Sequence, residues 1–180
     1  MKKSKIWIVA SALFLSSASL VSCNNKASEE TASEKVKVEK FLQKAASNDM
    51  FGMMTGMLAG DQGKEQKVAA YGQQLYHVHS RTSPAIENIA KRKNVKLPNV
   101  MESEKKVLVD SLEVKKGDEF DKSFADVQVA AHEEAVALYE QADKELTDPE
   151  IQAFIDQILP VLKEHLQEAQ QLKTAVAKLK

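Results

Sequence analysis

The sequence predicts an all-α protein: an antiparallel four-helix bundle with a short extra helix between its second and third long helices. Three observations carry this. Ala, Lys, Glu, Gln and Leu, all good helix formers, are abundant, whereas aromatics make up 6% of the 180 residues and there are only six glycines. Four long stretches each carry apolar residues three and four positions apart, the period of one helix face. Three connections join those stretches, as an antiparallel bundle needs.

The chain opens MKKSKIWIVASALFLSSASLVSC. Lys2, Lys3 and Lys5 precede an apolar run from Ile6 to Val21, softened by Ser and Ala. That is the pattern of a bacterial secretory signal peptide, over residues 1–22. The run is shorter than the roughly 20 strongly apolar residues of a membrane span. It ends in Leu20-Val21-Ser22-Cys23, which is similar to a bacterial lipobox, whose cysteine is lipidated and becomes the first mature residue. Cys23 is the only cysteine, so no disulfide can form within the chain. Acyl chains on it would hold the protein to a bilayer, each buried methylene adding about 0.8 kcal/mol. Asn24 stands where Asp would resemble an inner-membrane retention signal. The expected place is therefore the bacterial cell envelope, as an outer-membrane lipoprotein facing the periplasm or the cell surface. Ser28-Glu29-Glu30 faintly resembles the acidic signals that send some lipoproteins to the surface.

Residues 23–33 are polar and lack aromatics, as expected of a flexible tether, so the bundle domain is expected over 34–180. Loss of the three leader lysines moves the formal charge from −1 to about −4. That balance argues against a nucleic-acid partner, whose phosphates need basic surface.

The first long helix is expected over 34–60, with Val38, Phe41, Leu42, Ala45, Ala46 and Met53 inward and glycines marking a weak end. The second is expected over 64–93. Its inward face carries Val68, Gly72, Leu75, Tyr76, Ile86 and Ala90, and Pro84 frees the Ser80 carbonyl. Val95-Lys96-Leu97-Pro98 reads as extended. The short helix over 103–114 would pack Val107, Leu108 and Leu112 on the bundle. The third long helix, 118–146, has its stripe at Phe124, Val127, Ala131, Ala135, Leu138 and Ala142, widened by Ala125, Val129, Val136 and Tyr139. The fourth, 149–178, opens with Asp148 as N-cap and Pro149 in its first turn. Ile151, Phe154, Ile155, Ile158, Leu162, Leu166, Ala169, Leu172 and Val176 form its stripe, and Pro160 inside it frees the Asp156 carbonyl.

Two of the four histidines stand in Tyr76-His77-Val78-His79-Ser80. Successive helical residues point about 100° apart, so His77 and His79 diverge by about 200° and cannot share an ion. His79 falls on the inward face and His77 outside it. His165, between Leu162 and Ala169, and His132, beside Ala135 and Tyr139, also point inward. Each of these three lies near the middle of its helix, so the three are expected in one layer. Asp49, between Ala45 and Met53, is the inward polar residue of the first helix at that level. Three imidazoles and a carboxylate suit a transition metal: zinc, iron, copper or manganese. Tyr76 and Gln128, one turn before His79 and His132, are expected to support the ligands. The alternative is a purely structural layer, with histidines bonded to Asp49, Tyr76, the Ser80 carbonyl or water.

Met50, Met53, Met54 and Met57 lie at helical spacing in DMFGMMTGM. They read as adaptable apolar packing, with Cu(I) binding by thioethers, or pairing with His on a haem, as the competing readings.

Phe41, Ala45-Ala46, Gly56, Leu97-Pro98, Phe120-Asp121, VQVAAHEEAVALYE at 127–140 and LPVLKEHL at 159–166 together resemble the ferritin-like family of domain of unknown function 4142, described as predicted outer-membrane or periplasmic proteins. The resemblance covers residues 41–172 and implies a ferritin-like bundle with histidines at positions matching His79, His132 and His165. Two departures matter. Val78 stands where the family usually has Asp, and Gly52 and Met54 stand where it usually has one or two glutamates. A di-iron ferritin centre also needs two Glu-x-x-His motifs, whereas Val129 and Leu162 precede His132 and His165 by three residues.

The function expected is that of a membrane-anchored envelope lipoprotein with a non-catalytic, histidine-lined metal or small-ligand site in its core. An envelope interaction or stress-related protein with structural histidines is the alternative, and a degenerate ferritin-like oxidoreductase a third. The membrane, through lipid on Cys23, is the expected partner; protein partners are left open. No HExxH, GxSxG, catalytic cysteine or phosphate-binding glycine loop is present, which argues against a hydrolase.

Overall fold

The structure, a computed structural model, describes residues 22–179, with side chains from 31 onward. The expected signal peptide lies outside the described residues, apart from Ser22. Five helices follow: α1 (Ser22–Gln62), α2 (Gln66–Lys93), α3 (Ser103–Glu113), α4 (Gly117–Glu145) and α5 (Pro149–Val176). The four long ones form the predicted bundle, with no strand among the described residues. The two hairpins α1–α2 and α4–α5 pack against each other, with α3 covering α1 and α4.

α1 starts earlier than expected. It runs through residues 23–33, where the polar composition predicts a flexible tether. Its Ala, Glu and Lys are good helix formers, and extending an existing helix costs far less than nucleating one. The first turns that have described side chains, at Thr31, Ala32 and Ser33, are exposed. No described helix is long and apolar enough to cross a membrane.

α1 and α2 pack backbone to backbone. A Cβ on Gly56 would stand 2.7 Å from the Gly72 carbonyl oxygen and 2.8 Å from the Tyr76 nitrogen. One on Gly72 would stand 2.5 Å from Ala59 Cβ. Glycine is thus what lets these two helices approach so closely. Tyr76 departs from expectation: its backbone lies against Gly56, and its side chain is 45% exposed. The residue that faces inward is Tyr71, four before Leu75 and eight before His79 on the same stripe.

α3 departs too. Val107 and Leu108 point outward, and Lys105, Val109 and Leu112 are buried instead. The Lys105 ammonium lies over the Phe51 ring, 5.6 Å from its centre, and reaches both Glu134 oxygens at 3.1 Å. A buried stem with a paired head makes lysine tolerable there. Pro84 and Pro160 lie inside continuous helices. Asp148 caps α5 as expected, accepting from the Glu150 and Ile151 nitrogens. Met54 and Met57 face outward from α1, while Met50 and Met53 are half-buried.

At the start of α2 the residue in the N-cap position, Glu65, makes no side-chain cap. Asp121, fully buried on α4, supplies one, accepting from the Lys64 nitrogen at 3.0 Å and the Glu65 nitrogen at 2.8 Å. Asp121→Ala would leave both donors without this acceptor. It should lower stability in urea denaturation by about 2–3 kcal/mol. An unchanged midpoint would show that the cap carries no weight.

Two apolar clusters fill the bundle. One gathers Phe41, Leu42, Ile86, Tyr139 and Ile155 near one end. The other gathers Val68, Leu75, Phe120, Phe124 and Leu172 near the opposite end. Between them in the sequence of every long helix lie buried polar residues: Asp49 and Thr55, His79, Gln128 and His132, and His165.

Candidate metal centre

α2, α4 and α5 each present one histidine to this polar layer, because each histidine interrupts an apolar stripe near its helix's middle. His79, His132 and His165 are all buried, and one ring nitrogen of each lies within 4.8 Å of the others. The His132 and His165 ring centres are 5.5 Å apart, and those of His79 and His165 6.2 Å. His77 is exposed, as its position two residues from His79 requires.

Hydrogen bonds fix two of the tautomers. His79 Nδ1 donates to Asp49 Oδ1 at 2.7 Å, and Thr82 Oγ1 donates to Asp49 Oδ2 at 2.7 Å. His132 Nδ1 donates to the Gln128 carbonyl at 2.8 Å. With the proton on Nδ1, Nε2 is the atom left to coordinate in the neutral form of each ring. His165 differs: its Nδ1 is buried and has no hydrogen-bond partner among the described residues. Such an orphaned buried nitrogen costs about 1–3 kcal/mol unless something binds it.

Burial lowers the His132 pKa to about 4, against the partial support of the Gln128 carbonyl. Burial, with His132 and His79 alongside, lowers that of His165 to about 3. Both rings are therefore neutral at pH 7, the form that binds a cation. Burial also raises the Tyr71 pKa, so its phenol stays protonated. It donates to the His165 carbonyl at 2.9 Å, and its ring packs against His132 and His165.

Neighbouring ligand nitrogens on a tetrahedral zinc, each 2.0–2.1 Å from the ion, stand about 3.3 Å apart. The three nitrogens need therefore close by no more than about 1.5 Å. Nitrogen donors of this kind suit zinc or copper, whereas manganese prefers carboxylate oxygen. The residues present thus fit a single ion held by three imidazoles.

Of the four residues expected around an ion, the three histidines converge and Asp49 stands behind one of them. Asp49 is not a member of the triad, because from one turn before Gly52 it meets Nδ1 of His79 rather than Nε2. Carboxylates in this position orient a ligating histidine and raise its basicity. Gln128 supports the layer as expected, through its carbonyl on His132 and its side-chain amide, which donates to Thr55 Oγ1 at 2.9 Å. Tyr76 does not take part. Sequence reasoning missed Tyr71, Thr82, Asn48 and Gly52. A Cβ on Gly52 would stand 2.5 Å from His79 Nε2, so glycine there makes room for the ring.

No curated protein matches the sequence. In three dimensions the chain is similar to the crystal structure of a DUF305 fragment from Deinococcus radiodurans, at 12% identity and a TM-score of 0.68 over 79% of this chain and 97% of that one. At that identity the likeness speaks to the fold alone: a helical bundle of the ferritin-like type. The model of the family described as Domain of unknown function (DUF4142) matches residues 22–172. The resemblance seen in the motifs around His132 and His165 thus extends over most of the sequence, and the chain belongs to the DUF4142 family.

Proposed function

We propose that this protein is a lipid-anchored protein of the bacterial envelope whose bundle binds one transition-metal ion between His79, His132 and His165. One observation carries the metal reading: three buried imidazoles from three helices converge, and the buried Nδ1 of His165 has no partner among the described residues. A purely structural layer would need a buried water on that nitrogen, or leave it unsatisfied at a cost. Three imidazole nitrogens favour zinc or copper over manganese. Without a carboxylate in the triad, and with Gly52 and Met54 on α1, the site lacks the bridging groups of a di-iron oxidase. The reading is therefore of binding rather than of oxidation.

The anchor rests on the sequence alone: the basic leader, the apolar run and Leu20-Val21-Ser22-Cys23. Anchored this way, the domain would stand in the periplasm or at the cell surface.

Elemental analysis of protein purified without chelators tests the metal reading. Wild type is expected to carry about one equivalent of zinc or copper, and the His132→Ala variant almost none. Equal metal in both, or none in wild type even after reconstitution, would leave the histidines as structural residues. Intact mass of the mature protein tests the anchor independently: without added acyl mass on Cys23, that part fails.

A further inference from the structure

Beside the triad lies a cavity of about 20 Å³, lined among others by Asn48, Gly52, His79, Lys105 and His132. That is room for one water-sized group. Three features of its lining are not explained by the three histidines. Asn48 Nδ2 is shielded from solvent and has no hydrogen-bond partner among the described residues. Lys105, bonded to Glu134, brings a buried ammonium to the same wall. Gly52 is the α1 residue beside His79 Nε2, and any Cβ there would collide with the ring. The side of the centre facing α1 is thus kept free of a fourth protein ligand and is provided with hydrogen-bond donors.

Structural zinc sites are closed by four protein ligands, whereas sites with three keep a position for an exogenous one. The geometry points to an open fourth position in this cavity, taken by water or by a small anion that coordinates through one atom and accepts a hydrogen bond from Asn48 Nδ2. An anion is favoured because the unpartnered group, Asn48 Nδ2, is a donor. This rests on the metal reading above. It adds that the centre exchanges a small ligand and is not sealed.

Cobalt(II) makes it testable, because its visible absorption responds to ligand exchange. Full-length protein loaded with cobalt(II) is titrated with azide, which coordinates through a terminal nitrogen. Wild type should show a saturable change in the cobalt bands. Asn48→Leu should take up the same cobalt and bind azide at least about tenfold more weakly, the loss of one charge-assisted hydrogen bond. Asn48→Asp, which offers a carboxylate to the open position, should take up cobalt and lose the azide response. Cobalt uptake with bands indifferent to azide would overturn the open position and leave the metal site standing. Equal azide affinity in wild type and Asn48→Leu would overturn it too. Failure to take up cobalt would overturn both readings.

Discussion

Zinc or copper(II) added to metal-free protein at pH 7 is expected to raise its melting temperature by about 8–16 °C when the free ion is a thousandfold above its dissociation constant. Ligand bound only by the folded state stabilises by about 4 kcal/mol at that ratio. For a chain of this length each kcal/mol is worth about 2–4 °C. His165→Ala should show no such shift, since it removes the nitrogen that has no other partner. An equal shift in that variant would place the ion elsewhere. The same melts without metal should depend on pH in a defined way. His132 and His165 have folded pKa values of about 4 and about 3, below the ordinary 6.5. As pH falls, the unfolded chain therefore takes up these protons first. Their contribution is complete above pH 6.5 and is lost as pH falls to about 4 for His132 and about 3 for His165. In His132→Leu the corresponding part of the acid slope should be missing. Proton competition at His132 and His165 should also stay weak down to about pH 5.

The second large effect is expected from a single methyl group. Gly56→Ala should destabilise the protein by about 1–3 kcal/mol, although alanine is the better helix former by about 1 kcal/mol. The added Cβ meets backbone on α2, at 2.7 Å and 2.8 Å, and backbone cannot swing aside as a side chain can. The two helices must separate, and the contacts on either side go with them. Gly60→Ala is the control: one turn further along α1, a Cβ would stand 3.7 Å from Gln73 Cγ, an ordinary contact. That variant should gain up to about 1 kcal/mol in urea unfolding. If both variants move in the same direction, helix propensity rather than interhelical distance governs this segment.

These glycines show where sequence reasoning stops. Apolar periodicity gave four helices and the level of each histidine, because both depend on residues within one helix. The Asp148 cap was legible for the same reason. Read along α1 alone, Gly52, Gly56 and Gly60 mark a weak helix end. Their value lies in what α2 places opposite them, which no spacing within α1 reveals. Asp121 is a similar case, accepting from two nitrogens 57 and 56 positions earlier, just ahead of the helix it caps. Tyr76 was assigned inward although it stands 100° round the helix from Leu75; Tyr71 keeps to the stripe. On α3 the buried stripe of Lys105, Val109 and Leu112 begins with a charged residue, so the apolar pair Val107 and Leu108 stood out in its place. Asp49 lies in the layer and meets His79 by hydrogen bond, the contact of the structural alternative. One turn of α1 separates reaching Nε2 of His79 from reaching Nδ1, and helix geometry within one strand of sequence does not resolve that difference.

The distribution of the triad over the two hairpins has a mechanical consequence. His79 belongs to α1–α2, while His132 and His165 belong to α4–α5. An ion held by all three is a cross-link between the halves, closing a loop of about 50 residues through α3 and restricting the unfolded chain as a disulfide would. The only cysteine lies at the start of α1 in Leu20-Val21-Ser22-Cys23, so no covalent link of that kind is open to this chain. The halves of the loaded protein would part only by releasing the ion, and opening of the bundle and loss of metal become a single event.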